Sequence, residues 1–175
     1  MVARLLESIP ISGSVDEVRF DALGDCTWVE FGDLDSRWVG VFGRGHTTLS
    51  SLTRFDVNGA IFVIAGGQGY VIDLAARTCS LKTSCSILQS AIPVSGADMV
   101  IACDFTDIFA YGLKSECWSS DRIAHDGIRL DRANQNELFG EVCHPSEGWS
   151  SFTYDMKTHV IIRESLLSPP WDNFD

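Results

Sequence analysis

The sequence predicts a mainly-β fold, an antiparallel meander of about ten or more short strands with little helix. Three observations predict it. The apolar runs are only four to six residues long and rich in β-branched and aromatic side chains, which is strand chemistry. Glycine, asparagine, aspartate and serine separate the runs, and helical periodicity is weak along the whole chain. Many short strands at such spacing suit a propeller-like meander or a sandwich.

Taken in order, Trp28–Phe31 ends at Gly32-Asp33, and Arg37–Phe42 ends at Gly43-Arg44-Gly45. Ala60–Ala65, Tyr70–Leu74, Asp98–Cys103 and Ile108–Tyr111 follow, then Ile128–Leu130, Glu137–Val142, Ser151–Tyr154 and His159–Ile162. Asn58-Gly59 and Asp126-Gly127 are turn signals, because both residue types tolerate positive φ. Short helices are expected at Ser14–Phe20 and Thr48–Phe55. Residues 1–168 read as a single β domain, and Pro169-Pro170 opens a tail over 169–175 in which Trp171 is the one packing anchor.

A faint repeat runs through these strands. Ile61-Phe62-Val63-Ile64-Ala65 leads to Gly69–Leu74, Met99–Cys103 leads to Ile108–Leu113, and Leu138–Val142 leads to Trp149–Met156. The starting positions 61, 99 and 138 are 38 and 39 residues apart, and an imperfect earlier copy starts at Trp38. Two of the units close on an Asp-Leu or Asp-Met pair. This pattern resembles the inner strand pairs of β-propeller blades, whose period it matches. The resemblance covers Trp38 to Ile162, and the paired Gly-His and Trp-Asp signature of the best-known propeller repeats does not recur in it.

Thirteen basic against twenty-four acidic residues give a net charge of −11. Such a field disfavours nucleic acid and anionic membranes and speeds encounter with a basic protein. No apolar run reaches the length of a membrane helix. The N-terminus lacks a signal-peptide pattern, so a reducing cytoplasm with mostly buried, reduced thiols is the expectation for the six cysteines.

The chemical motifs are thin. Gly66-Gly67-Gln68-Gly69 leads into a strand rather than a helix N-terminus, so a hairpin turn explains it better than phosphate binding. Cys143-His144 lies near Glu141 and Glu147, but there is no Cys-x-x-Cys and no His-x-x-x-His, and no metal or cofactor is expected. No Gly-x-Ser-x-Gly elbow occurs. No catalytic residue is assigned.

The most distinctive stretch is Trp118–Ile128 followed by Phe139–Trp149. Over residues 117–162 it resembles a module of uncharacterised bacterial proteins, a resemblance that carries no activity with it. The aromatic and acidic loop Glu141–Trp149 is the first choice for recognition, with binding candidates Trp118, Asp126, Glu141, His144, Glu147 and Trp149. A second acidic group spans Glu7, Asp16, Glu17, Asp21, Asp25, Glu30, Asp33 and Asp35. The function expected is an acidic protein-binding module without catalysis, of the immunity-protein kind, that neutralises a basic toxin. The alternative is a small-ligand binder or hydrolase using His125, His144, Asp126 and Glu141 at one end of the β domain.

Overall fold

A computed structural model describes residues 2–11, 13, 15–33, 36–146 and 148–166. The proposed tail over 169–175 lies outside them. The described residues form sixteen strands. These are β1 (Ala3–Leu5), β2 (Asp16–Phe20), β3 (Cys26–Phe31), β4 (Trp38–Gly43), β5 (Ser50–Arg54), β6 (Ile61–Ala65), β7 (Gln68–Asp73) and β8 (Thr78–Lys82), then β9 (Ser90–Ser95), β10 (Met99–Cys103), β11 (Ile108–Gly112), β12 (Glu116–Ser119), β13 (Ile128–Asn134), β14 (Glu137–His144), β15 (Gly148–Asp155) and β16 (Val160–Leu166). The mainly-β class holds. No helix among the described residues is long and apolar enough to cross a membrane.

The strands form a four-stranded sheet β1-β3-β4-β2, a four-stranded sheet β5-β6-β7-β8, and an eight-stranded sheet β12-β11-β10-β9-β13-β14-β15-β16. Pairing is antiparallel except for β2 with β4 and β9 with β13. The ladder between the two halves of the long sheet, β9–β12 and β13–β16, consists of Val94–Ala133 and Ser95–Asn134. Ile101, Cys103, Ile108 and Ala110 of one half share a core with Leu138, Val142, Phe152 and Tyr154 of the other. The sheet therefore curls until its halves face one another.

Side-chain alternation stacks the sheets in chain order. Ile61, Val63, Tyr70 and Ile72 meet Val29, Phe31, Trp38 and Phe42 of the first sheet. From the same two strands Phe62, Ile64 and Val71 point the other way, onto Val100, Ala102 and Tyr111. β6, β10 and β14 are the second strands of their four-stranded units, so the repeat at 61, 99 and 138 marks equivalent places. The copy at Trp38 is displaced: it falls on β4, and the equivalent of β6 is β3. Asp73 Oδ1 accepts the N–H groups of Ala75 and Ala76, as Asp155 Oδ1 accepts those of Lys157 and Thr158. These bonds hold the Asp155 carboxyl below the usual range.

Two helix expectations are corrected. Over Ser14–Phe20 the described part is β2, whose Val18 and Phe20 alternate onto the first core. Thr48–Phe55 contains β5, paired along its length with β6. The 3-residue spacing of Leu52 and Phe55 looks helical, but ladder pairing outweighs so short a signal.

The Gly66-Gly67 reading as a hairpin turn is seen directly. Ala65 pairs with Gln68, and φ is +55° at Gly66 and +91° at Gly67, the geometry of a two-residue type I′ turn. Around this turn the Gln68 amide, 7% exposed, donates to the Thr83 carbonyl at 2.8 Å and to Thr83 Oγ1 at 2.9 Å. Thr83 Oγ1 also accepts from Gly69 N–H at 3.0 Å and donates to the Cys85 carbonyl at 2.7 Å. The loop after β4 closes the knot through Gly45 N–H to Ala65, His46 N–H to Ser86 and Thr47 N–H to Gly66. Tyr70 donates to the Gly43 carbonyl at 2.8 Å, and burial, with the charge of Asp21 adding, pushes its hydroxyl up to about 12.

All six cysteines are free thiols, and only Cys103 is buried. That corrects the expectation of mostly buried thiols. The cause is position: Cys79 and Cys117 lie on β8 and β12, which edge their sheets, and only Cys103 lies inside the long-sheet core. Burial pushes its thiol up to about 11 despite the Ser90 hydrogen bond, which pulls it down.

Candidate functional site

The outer face of β13, β14 and β15 carries the largest constellation of functional side chains among the binding candidates. Along β14 and β15, Leu138, Val142, Ser150, Phe152 and Tyr154 are buried, so the alternate residues Phe139, Glu141, Ser151 and Thr153 face outward. A β-bulge in β13 leaves Asp131 opposite no residue of β14. The extra residue re-aims the strand, so that Arg129 pairs with Glu141 and Arg132 with Phe139 on one face.

Each arginine lies over an aromatic ring. The Arg129 guanidinium carbon is 3.8 Å from the Trp149 ring centroid, and that of Arg132 is 4.1 Å from Phe139. Arg129 Nη1 also bonds Glu141 Oε2 at 3.3 Å, and Arg132 pairs with its neighbour Asp131. Glycine 127 makes room for the indole: at φ +148°, a Cβ there would stand 3.1 Å from Trp149 Cη2. Arg129 and Arg132 are 62% and 67% exposed, so the ion pairs add little stability. A groove of about 500 Å³ runs between them, floored by Gly140 and Phe152 and edged by Ser151 and Thr153.

Of the residues singled out from the sequence, Glu141 and Trp149 come together here, bridged by Arg129. Asp126 is exposed in the bend before β13. His144 ends β14, with its ring 6.0 Å from that of His125. Glu147 lies outside the described residues. Trp118 is elsewhere: it packs on the core inside the curl, stacked on Tyr154 at 5.7 Å and edge-on to His159 at 4.6 Å. Arg129, Arg132 and Phe139 were not singled out. The two arginines are three positions apart, a spacing that does not place them on one strand face unless the bulge is known.

The two acidic groups lie on different units. Those from Glu7 to Asp33 belong to the first sheet and its turns, with Asp35 outside the described residues, those from Asp121 to Glu141 belong to the last half-sheet and its approach, and no hydrophobic cluster among the described residues joins these units. Several acids are engaged: Glu30 with Arg4 and Arg37, Asp16 with Arg77, Asp21 with Lys82. Among the described residues, no group of three His, Cys, Asp or Glu side chains is placed to hold a metal ion. The outer face offers stacked cations, aromatic edges, hydroxyls and acids at strand spacing, an arrangement suited to recognition. No protein-family model and no curated protein matches this chain.

Proposed function

We propose that the chain is a protein-binding module of the immunity-protein kind, which docks a basic partner on the outer face of β13–β15. The observation that carries this reading is the pair of arginine-capped aromatics, Arg129 on Trp149 and Arg132 on Phe139, with both arginines lining an open groove. Tryptophan and arginine are the residue types that dominate binding energy at interfaces. Asp126, Asp131, Glu137, Glu141 and Asp155 lie on or beside the same strands, and with the net charge of −11 they favour a cationic partner.

The test is capture from native lysate on the immobilised chain at low and moderate salt, comparing wild type, a Trp149→Ala/Phe139→Ala variant and an Arg77→Ala control on the second sheet. One basic protein should be retained stoichiometrically, released by salt, held by the Arg77→Ala control, whose residue lies in the β7–β8 turn away from the groove, and bound at least about tenfold more weakly by the double variant. Retention indifferent to salt or to the double substitution would overturn the reading.

The approach of His125 to His144 favours a second reading, a small-ligand or hydrolase site at the end of β14. Glu141 is drawn from that site toward Arg129, which leaves the two imidazoles with Asp126. Parallel shifts of both imidazole NMR signals on adding a ligand would support it.

A further inference from the structure

Most cations of this acidic chain are engaged. Arg4, Arg19, Arg37, Arg77, Lys82, Arg129 and Arg132 sit in ion pairs. Arg44 donates to the Thr47 and Thr48 carbonyls, and Arg122 to those of Ala124 and His125. Arg54 and Lys114 have no such partner among the described residues, and both line one cleft of about 400 Å³. A volume of that order suits a small molecule.

The walls of the cleft are fixed by hydrogen bonds. Asn58 N–H donates to Asp98 Oδ1 at 2.9 Å, and Ala60 N–H to Asn58 Oδ1 at 2.8 Å. Between them Gly59, at φ +73°, lies so close to Arg54 that a Cβ would stand 2.9 Å from Nη2. The guanidinium is thus seated on glycine backbone. Ser80 Oγ donates to the Leu113 carbonyl at 2.5 Å, tying the segment that carries Lys114 to β8. The acid in the lining, Asp73, has its Oδ1 occupied by Ala75 and Ala76 N–H. Ala60, Leu74, Ala75 and Leu113 supply apolar surface.

We infer that this cleft binds a small organic anion of the phosphate-monoester class. Arg54 takes two phosphate oxygens through its planar fork, Lys114 supplies a second, compact positive charge, and the organic group lies against Leu74, Ala75 and Leu113. The cleft shares no lining residue with the groove on β13–β15, so the inference stands or falls apart from the protein-binding reading.

The experiment is an amide NMR titration of the whole chain at constant ionic strength with phenyl phosphate, inorganic phosphate and benzoate. Phenyl phosphate should saturate, with shifts concentrated at Gly59, Ala60, Ala75 and Leu113. Inorganic phosphate should bind the same amides more weakly, for want of the apolar contacts, and benzoate more weakly than phenyl phosphate. Arg54→Gln and Lys114→Gln should each weaken phenyl phosphate about tenfold, Arg54→Lys should restore only part of the loss, and Arg44→Gln should change nothing. Both cations are exposed, so the thermal midpoints of these variants should match wild type. Shifts that fail to saturate, that spread over the surface, or that survive both charge removals would overturn the inference. So would benzoate binding as well as phenyl phosphate.

Discussion

Replacing Thr83 by valine nearly keeps the shape of a buried side chain and exchanges its hydroxyl for a methyl group. In the native fold that hydroxyl accepts from Gly69 N–H and from the Gln68 amide and donates to the Cys85 carbonyl. Thr83 is 5% exposed and Gln68 7%, so water cannot replace these bonds freely. A buried polar group left without a partner costs about 1–3 kcal/mol. The Gln68 amide keeps its bonds to the Thr83 and Cys85 carbonyls, which leaves Gly69 N–H to bear the larger share. The expected loss is about 2–4 kcal/mol, a fall in thermal midpoint of roughly 10 °C for a chain of this size. Thermal and urea unfolding followed by circular dichroism measure it, with Thr83→Ser as the companion. Serine keeps the hydroxyl and gives up one methyl, for a loss of about 1 kcal/mol. A valine variant within about 1 kcal/mol of wild type would refute the reasoning. So would a serine variant as unstable as the valine one, since the methyl and not the hydroxyl would then hold the turn.

Two further outcomes follow from the same geometry. Trp118→Ala should cost about 1–3 kcal/mol in urea unfolding, because its half-buried indole packs on the long-sheet core beside Tyr154. Trp149→Ala should cost at most about 1 kcal/mol, because it loses an exposed cation–π contact; equal losses would contradict the inward and outward placements. In alkali, the raised values of Tyr70, about 12, and Cys103, about 11, mean the folded chain resists ionisation that the unfolded chain allows. Their stabilisation is complete below the ordinary thiol and phenol values and is lost as pH rises through those values toward 11 and 12. Urea midpoints across that window should fall less steeply for Tyr70→Phe, and an unchanged slope would count against the buried phenol.

How far the sequence discloses the fold depends on where each strand lies. β3, β4, β6, β7, β10, β11 and β13 to β16 carry apolar residues dense enough to be read directly. β1, β8 and β12 sit at sheet edges and bury few side chains, so their sequences look like connecting loop. β9 is interior but contains Pro93, and its pairing with β13 begins only at Val94. At the outer-face groove, Trp149 and Glu141 were conspicuous as an aromatic and an acid beside turn residues. Arg129 and Arg132 were not, because the bulge that aligns them leaves no mark in residue type. Trp118 drew notice for the same reason as Trp149, yet it packs against the long-sheet core and Trp149 under Arg129, and composition alone does not distinguish two such half-buried tryptophans.

The narrow seam between β9 and β13 has a kinetic meaning. Strands within each half of the long sheet pair with chain neighbours, so each half can assemble from local hairpins. Joining them brings Val94 to Ala133, 39 positions apart, a closure that costs about 3 kcal/mol of chain entropy. Two residue pairs of ladder recover little of it, and the recovery comes from the apolar cluster that forms when the halves meet. Docking of the halves is therefore the late, cooperative event of folding. Native-state hydrogen exchange should then find the first sub-global opening at this seam, exposing Ile101, Leu138 and Phe152 while the hairpins on either side stay protected.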